Sequence, residues 1–176
     1  PDCPTLTARI VPRVYVPAFR LRDPYNFAAF DSTWSLRNRT NAYNPGIPAK
    51  WGGNLNYVRG WFVHTYHRIV PGTTEERDKR PELFLLNDEG RRNYQNLSPT
   101  HPVVVETAKR KVLEALDKDK NAELISVSKN DFRGVDMSPA SKELNERNES
   151  TAAAPLSLVN HVADAVAEKH PDVIVT

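Results

Sequence analysis

The clearest alternation of hydrophobic and polar positions lies in the last part of the chain. Residues 101–118 place apolar side chains at helical spacing, with Lys, Arg and Glu on the other face, and Pro102 suits a first helical turn. Residues 152–169 repeat this spacing. Both segments are predicted to form amphipathic helices. Their predicted apolar faces are Val104, Ala108, Val112 and Ala115 in the first helix, and Leu156, Val159, Val162, Ala163 and Val166 in the second.

Strands are predicted to alternate with these two helices. Residues 123–131 begin with the apolar, β-branched run ELISV, and a second strand is predicted to begin at Val173. Residues 132–150 between them are predicted to be a polar loop with about one helical turn. Alternation of helix and strand favours parallel strands joined by crossover helices. Because the chain starts with Pro1 and stops inside a predicted strand, we expect a piece of a longer protein.

The first part of the chain carries shorter signals. Residues 13–19 alternate in polarity and are predicted to form an edge strand. Ser32 or Thr33 is predicted to cap a short helix that reaches about Asn41. Residues 61–70, WFVHTYHRIV, are aromatic and β-branched, which predicts a further strand.

Composition narrows the class of protein. The chain is 39% hydrophobic and 26% charged, as in a soluble globular domain. Its 176 residues are too few for a complete (β/α)₈ barrel, which needs about 250. No apolar run approaches the ~18 residues that a membrane span needs. Cys3 is the only cysteine, which excludes an internal disulfide and a cysteine-based zinc site. The sequence has no phosphate-binding glycine loop, no Gly-x-Ser-x-Gly elbow and no His-Glu-x-x-His motif. No cofactor or metal is therefore predicted.

Charge and aromatic residues are unevenly distributed. Residues 1–74 carry nine basic and three acidic side chains and 12 of the 15 aromatic residues, whereas residues 75–176 have a net charge of −4. Arginine beside aromatic rings suits carbohydrate, whose rings stack on aromatics, or nucleic acid. The absence of a single-sign charge run makes nucleic acid the weaker alternative. A third alternative is that the aromatics are core residues and the arginines solvate them.

Candidate chemistry is expected where predicted strands end. Asn130 and Asp131 follow the run ISVSK, and Asp131 could act as a general acid or base or hold a substrate hydroxyl. The alternative is that these two residues only turn the chain. His64 and His67, three apart in a predicted strand, would lie on opposite faces, which argues against a paired metal site. His64 remains a candidate ligand for sugar hydroxyls.

A second polar cluster lies in the first predicted helix. Arg37, Asn38, Arg39 and Asn41 are close in sequence, and they form either a solvated helix face or part of a binding site.

Five segments together resemble a bacterial family labelled domain of unknown function 4838. This family is glycoside-hydrolase-like and similar to α-glucuronidase-type barrels. The resemblance covers nearly the whole chain in order and spacing, although no single motif is a catalytic signature. The segments are VPAFRLRDPYNFAAFDSTWSLRNRTNA, GGNLNYVRGWFVHTYHRIVP, RPELFLLNDEGRR, ISVSKND and ESTAAAPLSLVNHVADAVAEKHPDVIVT.

The resemblance implies an α/β fold, a partial (β/α)₈ TIM-like barrel of which residues 1–176 are one early portion. It implies a carbohydrate-related role for Arg37, Asn38, Asn41, His64, Asn130 and Asp131. The chain departs from the family pattern in two segments, FRGVDMSPASKE and NYQNLSPTH, where many members resemble cysteine-bearing sequences and this chain has no cysteine.

The sequence therefore predicts a glycoside-hydrolase-like domain that binds or hydrolyses a polysaccharide, with an acidic one favoured by the arginine excess. Asp131 is the predicted catalytic residue, and the other five are predicted to bind substrate. A non-catalytic carbohydrate-binding barrel and, less favoured, a nucleic-acid-binding protein are the alternatives. Glycosidases use two carboxylates, so a second one is expected beyond residue 176. The parent protein is expected outside the cytoplasm.

Overall fold

The computed structural model describes residues 11–12, 14–43 and 46–176, which form two compact units. The N-terminal unit is Pro1–Gly53 and the C-terminal unit is Asn54–Thr176. Cys3 lies outside the described residues. None of the helices in the described ranges is long and apolar enough to cross a membrane.

The N-terminal unit contains short helices and extended chain. Helix α1 is Ser32–Asn38, and two 3₁₀ turns lie at Phe27–Phe30 and Ala49–Trp51. The cap of α1 is Asp31, whose carboxylate accepts the amide of Trp34 at 2.7 Å, instead of the predicted Ser32 or Thr33. The helix also ends three residues before the predicted Asn41, because Arg39 adopts a left-handed conformation. The predicted strand 13–19 is wrong for residues 14–19, which form no strand, and Arg13 lies outside the described residues.

Two long helices organise the C-terminal unit, and both were predicted. Helix α4 is Pro102–Lys118 and helix α6 is Ala153–Lys169, and the two pack together. The apolar face of α6 differs from the prediction, because Leu156 is 55% exposed. The buried positions recur at every fourth residue, as one helical face requires. They are Val104, Ala108, Val112 and Leu116 in α4, and Ala154, Leu158, Val162 and Val166 in α6.

Shorter helices complete the C-terminal unit. Helix α2 is Tyr66–Ile69, α3 is Thr74–Lys79 and α5 is Pro139–Arg147. Helix α5 lies in the segment predicted as a polar loop and is longer than the single turn expected there. Its Pro139 occupies the first turn, where the missing amide has no intrahelical partner to lose.

The strands are short and form two separate sheets among the described residues. Strand β1, Phe84–Leu86, pairs antiparallel with β2, Arg92–Leu97. Strand β3, Leu124–Ile125, pairs in parallel with β4, Ile174–Val175, across α5 and α6. The predicted parallel pairing of these two segments is therefore confirmed, although each strand is only two residues long.

The predicted partial (β/α)₈ barrel is wrong. A barrel needs successive parallel strands that pair side by side, and the described residues contain two sheets of two strands each. Residues 61–70, predicted as a strand, instead contain α2. The buried residues of this segment recur at helical spacing, so one turn of helix is enough to bury its apolar side chains. These residues are Trp61, Thr65, Tyr66, Ile69 and Val70. The fold is a small mixed α/β arrangement.

A buried carboxylate joins the hairpin to α5. Asp136 is 4% exposed, and its Oδ2 accepts the hydroxyls of Ser98, Ser138 and Ser141 at 2.6–2.7 Å. Its Oδ1 accepts the amide of Leu86 at 2.9 Å. The Ser98–Asp136 bond connects the two segments that lack the cysteines of the resembling pattern, so hydrogen bonds cross-link them in this chain.

Replacing Asp136 with Ala is expected to lower the free energy of unfolding by about 3 kcal/mol or more, because the hydroxyls of buried Ser98 and Ser141, that of half-buried Ser138 and an amide lose a charged acceptor. Urea unfolding measures the loss. The matched change at the exposed hairpin-turn residue Asp88, Asp88→Ala, is expected to cost less than about 0.5 kcal/mol. Equal stability of the two variants would contradict the structural role of Asp136.

Candidate functional site

A buried threonine fixes the chain that follows β3. Thr65 is fully buried, and its Oγ1 donates to the carbonyl of Ser126 and accepts the amide of Ser128, each at 2.9 Å. The amide of Thr65 also donates to the carbonyl of Ser128 at 2.9 Å. Three hydrogen bonds therefore hold the start of α2 against residues 126–128, and the residues on either side are positioned by them.

His64 and Asp131 meet next to this contact. His64 has a φ of 55°, the left-handed region that side chains other than Gly seldom adopt. In this conformation its Nε2 lies 3.4 Å from Oδ2 of Asp131, and its Nδ1 lies 3.4 Å from the carbonyl of Lys129. The two side chains are 44% and 91% exposed. A strained, solvent-accessible residue paired with a carboxylate is typical of functional sites.

Asn130 is held from the opposite side by the hairpin. Its backbone amide donates to Oδ1 of buried Asn96 at 2.8 Å, and its side-chain Nδ2 donates to the carbonyl of Gln95. Asn96 Nδ2 lies 3.4 Å from the carbonyls of Asn130 and Phe132. The side-chain Oδ1 of Asn130 is buried without a hydrogen-bond partner among the described residues. Asn130 thus serves mainly to fix the backbone that presents Asp131.

The arrangement brings together three of the six predicted site residues, His64, Asn130 and Asp131, which we call the His64 cluster. An imidazole and a carboxylate offer adjacent donor and acceptor positions to a ligand. No group of three or more His, Cys, Asp or Glu suited to a metal ion occurs in the part of the chain that the structure describes.

The other three predicted site residues lie in the N-terminal unit. Arg37 is exposed on α1, and Asn38 donates its Nδ2 to the carbonyl of Trp34 at 2.8 Å, a bond within the helix. Asn41 is structural as well: its Oδ1 accepts the amide of Arg22 at 2.9 Å and its Nδ2 donates to the carbonyl of Arg20 at 2.7 Å.

Sequence reasoning missed Thr65 and Asn96, the two residues that position the His64 cluster. Both are buried polar residues whose partners lie more than 30 positions away. Nothing local in the sequence distinguishes them from other threonines and asparagines, because their role depends on the tertiary fold.

A family comparison extends these observations. The sequence model of the family described as "Domain of unknown function (DUF4838)" matches residues 2–176. The chain belongs to this family. The family predicted from the sequence is thereby confirmed, while glycoside-hydrolase-like activity stays a prediction. No curated protein and no solved structure matches the chain.

A small cavity of about 60 Å³ adjoins Tyr66, the residue after Thr65. Lys129 and Asp136 also line it. Tyr66 is 3% exposed, and burial, together with the negative charge of Asp136, raises the pKa of its hydroxyl above the ordinary value for tyrosine.

This shift predicts an alkaline loss of stability. The folded chain keeps the Tyr66 proton above about pH 10, where an unfolded tyrosine loses it. The stability linked to this group is therefore fully present below about pH 10 and is lost as the pH rises from there through the raised pKa. Tyr66→Phe removes the linkage, so its free energy of unfolding should fall less steeply than that of the wild type above pH 10. Urea unfolding at several alkaline pH values tests this, and parallel pH dependences would refute it.

Proposed function

We propose that this chain binds carbohydrate and that the His64 cluster contacts sugar hydroxyls. The observation that supports the proposal is the 3.4 Å pair of His64 and Asp131, which is open to solvent while its backbone is fixed by Thr65 and Asn96. Neighbouring hydroxyls of a sugar ring each donate and accept hydrogen bonds. A carboxylate and an imidazole side by side match two such hydroxyls.

The preorganised backbone supports binding by a surface site. Fixing side chains before the ligand arrives reduces the entropy cost of association. His64 lies 3.4 Å from both the Asp131 carboxylate and the carbonyl of Lys129, so its ring is positioned before a sugar arrives.

Hydrolysis would require more than this cluster supplies. Glycosidases place two carboxylates on either side of the bond that they cleave. Asp131 provides one carboxylate to the His64 cluster. We therefore propose binding as the function of these residues, and cleavage only if a second carboxylate joins Asp131.

Asp131→Asn and His64→Gln are expected to weaken the binding of a neutral oligosaccharide roughly tenfold each, because each removes one polar contact of about 1 kcal/mol or slightly more. A glycan array on the intact chain selects the ligand, and isothermal titration calorimetry measures the affinities. Asp88→Asn, at an exposed turn, serves as the matched control and should bind like the wild type.

The proposal fails if no glycan binds, or if the bound glycan is unaffected by both substitutions. A nucleic-acid function is the alternative outcome, recognised by an affinity that falls steeply with salt on a logarithmic plot.

A further inference from the structure

The N-terminal unit contains a groove of about 410 Å³, within the range typical of small-molecule sites. Its walls carry the aromatic rings of Tyr15 and Trp51 and the guanidinium groups of Arg22 and Arg39. None of the described residues that line it is acidic. We call this feature the Trp51 groove, and it lies entirely within the N-terminal unit.

We propose that the Trp51 groove binds an anionic sugar, a ring that stacks on an aromatic side chain and carries a carboxylate or a sulfate. This goes beyond the proposed function, because it assigns a second binding site in the other unit and a charged class of ligand. The two proposals fail separately, since they involve different residues and the variants of one site leave the other site unchanged.

The aromatic side chains of the groove are not core residues. Trp51 is 63% exposed and Tyr15 is 53% exposed. Each ring has a cation near one face: Lys50 Nζ lies 5.6 Å from the centroid of the Trp51 ring, and the Arg39 guanidinium lies over Tyr15. The apolar C–H face of a sugar can pack on an exposed aromatic ring. The aromatic excess in the first part of the chain is therefore only partly explained by packing.

The basic side chains supply charge that no carboxylate of the described residues neutralises. Arg39 lies over the ring of Tyr15, with the guanidinium carbon 4.7 Å from the ring centroid. Arg22 donates its Nε to the carbonyl of Arg39 at 2.7 Å and its Nη1 to the carbonyl of Phe19 at 2.6 Å. Neither guanidinium pairs with an acidic side chain among residues 11–12, 14–43 and 46–176. An anion in the groove would meet two guanidinium groups that have no acidic partner among the described residues.

The groove is also preformed. Arg39 has a φ of 57°, a left-handed conformation that is costly for a side chain other than Gly or Asn. This conformation ends α1 and places the Arg39 guanidinium over Tyr15. The helix C-cap of α1 therefore also fixes one basic side chain of the groove. Asn41 bonds to the backbone of Arg20 and Arg22, which fixes the segment that carries Arg22.

The test uses the intact chain and four probes: a trisaccharide of uronic acids, its neutral counterpart, a sulfated form of the neutral trisaccharide, and a single-stranded oligonucleotide. Calorimetry gives the affinities, and the part of the tryptophan fluorescence change that Trp51→Ala abolishes reports the environment of Trp51. The expected result is that the uronic or the sulfated trisaccharide binds about tenfold or more tightly than the neutral one. The stronger of the two identifies the anionic group that the site prefers.

Arg39→Asn and Trp51→Ala are expected to weaken this binding about tenfold and several-fold, respectively. Arg39→Gly is a second variant that accepts the left-handed conformation, so a folding defect cannot account for a loss seen in both. Arg91→Asn removes an exposed arginine from the hairpin and should bind like the wild type. The proposal is overturned if neutral and anionic sugars bind equally, if the groove variants bind like the wild type, or if only the oligonucleotide binds.

Discussion

The contact between Thr65 and residues 126–128 is the interaction on which the candidate site depends. One hydroxyl serves as donor to Ser126 and acceptor for Ser128, so a single side chain satisfies two backbone groups of a segment with little strand pairing. Strand β3 covers only two residues, and the parallel hydrogen bonding continues beyond it only to the bond from the amide of Val127 to the carbonyl of Thr176. Without the Thr65 hydroxyl, residues 126–128 would keep the backbone bonds from the amides of Thr65 and Tyr66 to the carbonyl of Ser128 but lose two of their contacts with α2. The segment that carries Asn130 and Asp131 would then be held less firmly beside His64.

Two further constraints support this contact. Asn96 ties Asn130 to the β1–β2 hairpin, and Asp136 ties the same hairpin to α5. Buried polar groups of this kind are costly when unsatisfied and rigid when satisfied. The C-terminal unit therefore uses hydrogen-bonded side chains where its short strands cannot supply the order. In the N-terminal unit, the side chain of Asn41 likewise holds extended chain by hydrogen bonds to the backbone of Arg20 and Arg22.

The two long helices could be predicted because the spacing of apolar residues that indicates a helix is local in sequence. The parallel pairing of β3 and β4 followed from the alternation of helix and strand. Helices α4 and α6 repeat apolar residues over four turns, and a pattern of that length has no competing interpretation. The run at 61–70 had two possible interpretations. Aromatic and β-branched residues suit a strand, but here the same side chains are buried around a single turn of helix. The barrel was implied by the family resemblance, and it is wrong because the described residues form only two sheets of two strands each.

The candidate site was predicted in part. Asn130 and Asp131 were found because they follow an apolar run, and His64 because it lies near the end of another. Their contact could not be foreseen, since it requires the left-handed backbone of His64 and the distant partner of Thr65. Arg37, Asn38 and Asn41 were grouped with them by resemblance, but they lie in the N-terminal unit. The exposed aromatics there also could not be predicted, because composition does not tell which rings the fold covers.

Amide hydrogen exchange at Ser128 tests the central claim most directly, since its amide donates to the Thr65 hydroxyl. In Thr65→Val, which has a similar shape but no hydroxyl, this amide should exchange much faster relative to the amides of α4, whereas Thr65→Ser should preserve its protection. Unchanged protection of Ser128 in a folded Thr65→Val variant would contradict the role assigned to Thr65.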